Sequence, residues 1–188
     1  MKIVRAPDNL PDHTLIHICC APDAAYGVQA IREAFGSVMG FFYNPNIWPQ
    51  AEYEKRLREA ERLASSLPFD LSRRKRDHGA WYEAIQGFEA QPEKGERCRI
   101  CIRMRLEETA KMAARMGIDA FTTVLTVSPH KNADMVNESG REMGEKHGLF
   151  FIELDLKKNE GFKKSLALSK EYGLYRQNYC GCEFSVRK

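Results

Sequence analysis

The sequence lacks the long apolar segments that membrane-spanning proteins and secreted precursors carry. No apolar run approaches the roughly 18 residues of a membrane span. The first residues, MKIVRAPDNLPDH, contain polar residues and prolines where a signal peptide needs an apolar stretch. The chain also contains no internal repeats and no low-complexity stretches. We therefore expect a cytoplasmic protein without a membrane partner.

The chain has little excess charge of either sign. Its 188 residues include 29 basic and 26 acidic ones, so the net charge of +3 shows only that nucleic acid is not excluded as a partner. Hydrophobic residues at 43% and charged residues at 29% are typical of a globular chain and exclude a disordered or fibrous one. We expect one α/β catalytic domain over residues 1–188, with an irregular lead-in at 1–14 and a cysteine-containing tail at 173–188.

Short apolar segments alternate with amphipathic ones along the chain. Strands are predicted at 15–20, 38–43, 69–72, 120–127 and 149–156. Helices are predicted at 24–35, 50–66, 78–87, 97–116, 132–147 and 160–172. This alternation predicts a doubly wound, mostly parallel sheet with helices on both faces.

Polar and reactive side chains follow three of the predicted strands. They are Cys19, Cys20, Asn44, Asn46, His130, Lys131 and Asn132. Because ligands bind at the carboxyl ends of strands in such sheets, we expect these side chains to converge on one edge. Two interpretations of His130 stay open, namely a proton donor or anion contact and a histidine that caps a helix.

The six cysteines fall into close pairs, namely Cys19 with Cys20, Cys98 with Cys101, and Cys180 with Cys182. A disulfide framework is typical of small, loop-rich secreted chains, and adjacent cysteines bridge poorly because their Cβ vectors diverge. The pairs therefore indicate metal ligands or redox groups. The alternative is buried free cysteine that packs as a small apolar side chain.

The spacing of the candidate ligands suits chelation at three places in the sequence. Cys98 and Cys101 form a C-x-x-C at the start of a predicted helix, which places both sulfurs on one face and stabilises the thiolate. Asp23 follows Cys20 at the same spacing, either as a carboxylate ligand or as the N-cap of the helix at 24–35. Gly181, between Cys180 and Cys182, predicts a tight turn that brings their sulfurs together.

The number of candidate ligands exceeds the needs of one metal centre. A tetrahedral zinc or a cubane iron–sulfur cluster uses four protein ligands. Six cysteines and Asp23 therefore predict a four-cysteine cluster beside a second metal with an open coordination position, which catalysis requires.

Basic and aromatic residues cluster locally. The segment 73–76 is a run of four basic residues, and Arg97, Arg99, Arg103 and Arg105 surround the C-x-x-C. The tail interleaves Tyr175, Arg176, Gln177 and Tyr179. Such patterns favour stacking on unpaired bases with phosphate contacts alongside. The alternative is a solvated charged face with tyrosines packed beneath it.

Five segments together resemble one known family, the QueH family of cobalamin-independent epoxyqueuosine reductases in tRNA queuosine biosynthesis. They are HICCAPD (17–23), FFYNPNIWP (41–49), ERCRICIRMRLEETA (96–110), FTTVLTVSPHKNAD (121–134) and GLYRQNYCGCEFS (173–185). The resemblance implies a fold similar to the HUP and PP-loop proteins, a [4Fe-4S] cluster with an adjacent mononuclear iron, and tRNA carrying epoxyqueuosine as the substrate.

On this resemblance we expect Cys19, Cys98 and Cys101 on the cluster and Cys20 with Asp23 on the single iron. The division assumes that the adjacent Cys19 and Cys20 point apart. Cys180 and Cys182 would serve one centre each, in either order. Contacts to the anticodon loop are expected from Asn44, Asn46, Lys131, Asn132, Tyr175, Arg176, Gln177 and Tyr179.

The implied reaction removes the epoxide oxygen as water. Iron would act as a Lewis acid, the cluster would relay two electrons singly from an external donor, and His130 or water would supply protons. Two alternatives stay open. One is a PP-loop-type ATP-dependent tRNA-modifying enzyme, for which CCAPDAAYG is a poor phosphate loop. The other is a zinc-stabilised RNA-binding module.

Overall fold

The structure, a computed structural model, describes residues 1–9 and 11–186. Its strands are β1 (Lys2–Arg5), β2 (His13–His17), β3 (Ser37–Phe42), β4 (Asp70–Arg73), β5 (Ala120–Thr123), β6 (Phe150–Phe151) and β7 (Glu153–Asp155). Its helices are α1 (Ala21–Phe35), α2 (Gln50–Ser66), α3 (His78–Ala84), α4 (Glu96–Met116), α5 (Ala133–His147) and α6 (Gly161–Glu171). The predicted lead-in and tail also include residues 10 and 187–188, which lie outside the described residues.

Five strands form a parallel sheet in the order β4-β3-β2-β5-β6. The chain therefore winds outward from β2 to one edge and then returns to the other side of β2. Successive residues of β2 point to opposite faces, so Ile16 packs in the core under α1 and α2 while Leu15 packs under α4 and α5. The predicted doubly wound α/β fold with helices on both faces is confirmed.

The ends of the helices follow local rules. Helix α4 ends at Gly117, whose φ of 66° is the left-handed conformation that glycine adopts readily. Helix α5 begins at Asn132, whose side-chain oxygen accepts hydrogen bonds from the backbone N–H of Asp134 (2.9 Å) and Met135 (3.3 Å). Among the described residues, no helix combines the length and the apolar character that crossing a membrane requires.

The largest differences between the predicted segments and the structure concern the lead-in and two strands. The lead-in at 1–14 is not irregular throughout, because β1 pairs antiparallel with β7, with Lys2 opposite Asp155. All four residues of β1 are exposed, so its sequence shows no burial pattern that would indicate a strand.

The other two differences concern predicted strands, of which one ends early and one is divided. The strand predicted at 120–127 ends at Thr123, whose hydroxyl accepts a hydrogen bond from the N–H of Leu125 (3.2 Å) and starts a 3-10 turn at Leu125–Val127. The strand predicted at 149–156 is divided. Its first part, β6, pairs with β5 in the main sheet, and its second part, β7, pairs with β1.

Gly140 provides a test of the packing between α5 and β6. A Cβ atom at this position would lie 2.3 Å from ring carbons of Phe151. We expect Gly140→Ala to lower the free energy of unfolding by about 1–3 kcal/mol through overpacking, although alanine favours helices. Urea denaturation monitored by circular dichroism measures the change.

Gly79→Ala is the matched control. Gly79 also lies in a helix, but the nearest atom to its added Cβ would be Asp77 Oδ1 at 3.7 Å. This variant should be as stable as the wild type or more stable by up to about 1 kcal/mol. A Gly140→Ala protein that matched the control would show that the α5–β6 contact is not tightly packed.

Candidate metal and substrate site

The first cysteine pair lies where β2 passes into α1. Cys19 stands at a bend, and Cys20 is the N-cap of α1 with an extended backbone. The Cys19 sulfur lies 3.8 Å from the Cys20 sulfur and 3.6 Å from Oδ2 of Asp23. The ligand atoms of all three residues lie within 4.8 Å of one another, which is close enough for metal binding.

This geometry corrects two expectations. Cys19 and Cys20 do not point apart, because the bend between strand and helix places their sulfurs side by side. Asp23 is not the N-cap of the helix, because α1 begins at Ala21 and Asp23 lies within its first turn. Burial raises the pKa of the Asp23 carboxyl above its ordinary value, and the side-chain hydrogen bond with Cys20 opposes this shift.

The second pair lies at the start of α4, as the spacing predicts. The Cys98 sulfur accepts a hydrogen bond from the backbone N–H of Lys94 (3.3 Å). Cys101 is buried and packs in a small cluster with Cys182 and Trp81. Burial raises the pKa of both the Cys101 and the Cys182 thiol, the latter to about 11.

The third pair lies in the tail, on either side of Gly181. The chain bends at Gly181, whose φ is 144°, and a Cβ there would lie 3.0 Å from Nδ2 of Asn46, so glycine suits this position. The Cys180 sulfur lies 2.7 Å from Nζ of Lys131. Burial alone would raise the pKa of Cys180, but the charges of Lys131 and Arg105 outweigh it and lower the pKa.

Arg105 carries a buried positive charge among these thiols. Its side chain is 2% exposed, and Nε donates a hydrogen bond to the carbonyl of Cys101 (3.2 Å). Burial would lower the pKa of the guanidinium, yet the neighbouring cysteines raise it, with Cys101 and Cys180 contributing most. Arg105 and Lys131 therefore offset the negative charge of cysteines that become thiolates.

A cavity of about 270 Å³ opens at this edge of the sheet. Arg105 forms part of its wall, and so does Phe162. The sequence-predicted residues that line it are Cys19, Asp23, His130, Lys131, Arg176, Gln177, Tyr179 and Cys180.

A model of the family described as epoxyqueuosine reductase QueH matches residues 14–188. The chain belongs to this family. It is 40% identical over 177 residues to the epoxyqueuosine reductase QueH of Thermotoga maritima, covering 92% of this chain and 89% of that protein. It is 34% identical over 193 residues to the QueH of Streptococcus pyogenes, covering 100% of this chain and 75% of that protein. The resemblance seen in the sequence is confirmed, and with it the assignment to an enzyme family of oxidoreductases.

A solved structure shares the fold. It is the U34-tRNA thiolase NcsA from Methanococcus maripaludis with its [4Fe-4S] cluster, with a TM-score of 0.57 at 12% sequence identity. The match covers 96% of this chain and 63% of the NcsA chain. At this identity the likeness concerns the fold alone, and it agrees with the PP-loop-like class predicted for this QueH family member.

Four residues predicted to contact the anticodon loop do not line the cavity, and neither do Cys20, Cys98, Cys101 and Cys182. The Asn44 amide donates to the carbonyl of Ile18 (2.9 Å), and Asn46 is buried against Gly181. Asn132 caps α5, as described above. The Tyr175 hydroxyl donates to Glu52 (3.0 Å), and Nζ of Lys55 lies 3.4 Å from the centre of the Tyr175 ring. These side chains hold the loops that surround the cavity.

Arg56 is an important residue that local sequence patterns do not reveal. It lies on α2 among many charged residues, yet it is 2% exposed. Its guanidinium donates to the tail carbonyls of Cys180 (2.9 Å) and Tyr179 (3.3 Å), while Nε donates to Glu52 (2.7 Å). Arg56 therefore fastens the tail to the body of the protein.

Replacing Arg56 tests this attachment. Arg56→Lys keeps the charge but loses the planar fork that reaches both tail carbonyls. We expect the free energy of unfolding to fall by about 2 kcal/mol, because the hydrogen bonds from the guanidinium to the tail carbonyls are lost. Trypsin should also cleave the native protein faster at Arg176, as measured by mass spectrometry of the fragments.

The control is Arg58→Lys on the exposed side of the same helix. Arg58 lies 3.9 Å from Glu54, and both side chains are at least half exposed. This change should alter stability by less than about 0.5 kcal/mol and leave tail cleavage unchanged. Equal cleavage rates in the two variants would show that Arg56 does not hold the tail.

Proposed function

We propose that this protein reduces epoxyqueuosine in tRNA to queuosine, using a [4Fe-4S] cluster and an adjacent mononuclear iron. The observation that carries the proposal is the group of Cys19, Cys20 and Asp23 at a cavity that Cys180 also lines, in a chain of the epoxyqueuosine reductase QueH family. Thiolates are the ligands of iron–sulfur clusters, a carboxylate is a further iron ligand, and the cations beside them stabilise the thiolate form.

Within the described residues, Cys19, Cys20 and Asp23 form the one group of three candidate ligands whose ligand atoms lie within 4.8 Å of one another. The division between two centres follows the family resemblance. Cys19, Cys98, Cys101 and one tail cysteine would hold the cluster. Cys20, Asp23 and the other tail cysteine would hold the single iron. Because Cys19 and Cys20 lie side by side, the two centres would be adjacent. When bound, the iron would supply Lewis acidity and the cluster would supply single electrons from an external donor.

The remaining cavity residues would bind and orient the substrate. The buried amide oxygen of Gln177 has no hydrogen-bond partner within residues 1–9 and 11–186, so it is available to accept a bond from a nucleobase N–H. His130 lines the cavity and is exposed, so its imidazole can exchange protons with solvent and deliver one at the epoxide. Arg176 would contact the anticodon loop from the tail side.

The first test is metal loading followed by turnover. The protein is reconstituted anaerobically with iron and sulfide, and its iron, sulfide and zinc contents and visible spectrum are recorded. Loaded protein given a strong reductant should convert epoxyqueuosine-tRNA to queuosine-tRNA, as seen by mass spectrometry of the nucleosides. Fully loaded protein without turnover would refute the proposed reaction. A colourless protein with about one zinc would favour the RNA-binding module.

Asp23→Asn tests the second centre separately. We expect the cluster absorption to persist, the iron content to fall by about one atom per chain, and turnover to drop roughly 100-fold or more, since the Lewis acid is lost. Iron analysis and the tRNA assay measure the two effects.

Asp134→Asn is the matched control, because Asp134 lies in the first turn of α5 as Asp23 lies in the first turn of α1, but it is exposed. Its iron content and activity should equal those of the wild type. An Asp23→Asn protein with unchanged iron content would exclude Asp23 as a ligand.

A further inference from the structure

Trp48 is an exposed aromatic residue beside the cavity. It lies in the loop between β3 and α2 and is 42% exposed, whereas Trp81, the other tryptophan, is 0% exposed. Its backbone N–H donates to the carbonyl of Gly181 (2.8 Å), and its carbonyl accepts from the hydroxyl of Tyr179 (2.5 Å). The tail that lines the cavity therefore fixes the position of Trp48 while much of the indole remains accessible.

Positive charge lies close to the same loop. The Arg76 guanidinium donates to the side-chain oxygen of Gln50 (2.5 Å), two residues beyond Trp48. Within the basic run at 73–76, Arg73 pairs with Glu61 (3.2 Å) and Arg74 pairs with Glu108. Arg76 instead bonds a neutral amide and lies 5.5 Å from the centre of the Tyr53 ring, and no carboxylate pairs with it within residues 1–9 and 11–186.

The size of the cavity limits what can enter it. Its volume of about 270 Å³ is near the lower end of the about 300–1,000 Å³ typical of small-molecule pockets. It can accept one nucleoside-sized group, so the neighbouring nucleotides of an RNA loop must lie on the surface outside. Exposed aromatic rings with cations alongside are the features that bind such unpaired bases.

We propose that Trp48 stacks on an unpaired base adjacent to the nucleotide that enters the cavity, and that Arg76 contacts a nearby phosphate. This inference rests on the proposed function, because it takes the anticodon loop of tRNA as the ligand. It also gives a role to the segment FFYNPNIWP, which supplies neither a candidate metal ligand nor a residue that lines the cavity.

The test uses iron-loaded protein and an anticodon stem-loop RNA with an unmodified guanosine at the wobble position. Trp48 is accessible to acrylamide and Trp81 is not, so quenching of the protein fluorescence reports on Trp48. The stem-loop should protect Trp48 from quenching, and a fully paired RNA duplex of equal charge should not. The difference between wild-type and Trp48→Phe emission identifies the signal of Trp48.

Variants then separate stacking from charge. Trp48→Ala should weaken binding of the stem-loop on the order of 10- to 100-fold and raise KM for tRNA while leaving kcat unchanged. Trp48→Phe should retain most of the affinity, because it keeps an aromatic ring. Arg76→Gln should reduce the slope of log affinity against log salt by about 1, whereas Trp48→Ala should leave that slope unchanged.

Met116→Ala is the control for loss of an exposed apolar side chain. Met116 is 37% exposed and ends α4 just before β5 begins, at the edge of the sheet opposite the cavity. Its substitution should not change RNA binding. The inference is overturned if Trp48→Ala binds the stem-loop as tightly as the wild type, or if the duplex protects Trp48 equally well.

The quenching and binding outcomes are independent of the proposed reaction, since the unmodified stem-loop contains no epoxide. Protection of Trp48 by the stem-loop without turnover of epoxyqueuosine-tRNA would refute the reaction alone. Turnover by Trp48→Ala with wild-type kcat/KM would refute the stacking role alone.

Discussion

Ionised thiols and carboxylates can be buried together only when cations are buried with them. In this protein the buried Arg105 and the half-buried Lys131 provide those cations at the carboxyl edge of the sheet. Lys131 lies 2.7 Å from the Cys180 sulfur, and Arg105 hydrogen-bonds the backbone of Cys101 while it lies near further cysteines. Burial raises the pKa of a thiol, as it does for Cys182, and at Cys180 the charges of Lys131 and Arg105 outweigh that effect.

The fold places these cations beside the thiols by bringing segments that are distant in sequence to the carboxyl edge of the sheet. The carboxyl ends of β2, β3 and β5 lie side by side, so the loops after them share one edge. The tail reaches that edge because Arg56 on α2 binds two of its carbonyl groups. The tail also holds Trp48 through Gly181 and Tyr179. The candidate metal ligands and the proposed RNA-stacking surface thus depend on the same attachment.

Much of the fold and of the candidate site could be predicted from the sequence. The helix at 50–66 and the end of α4 at Gly117 agree with the structure, because amphipathic spacing and a left-handed glycine are local signals. Strand β1 was missed, since its pairing with β7 depends on contacts far along the chain. Asn132 and Tyr175 are polar residues near the site, yet their side chains serve helix capping and tail packing.

The sequence by itself determined the ligand types, their paired spacing and the family to which the chain belongs. Ligand type and spacing are local properties, because two cysteines three residues apart share a helix face wherever that helix lies. Only the tertiary structure decided which charges are buried, that Cys19 and Cys20 lie side by side, and that the tail holds Trp48 through Gly181 and Tyr179. Burial is a property of packing, so it depends on segments such as α2 and the tail, which are remote from each other in sequence and meet only in the folded chain.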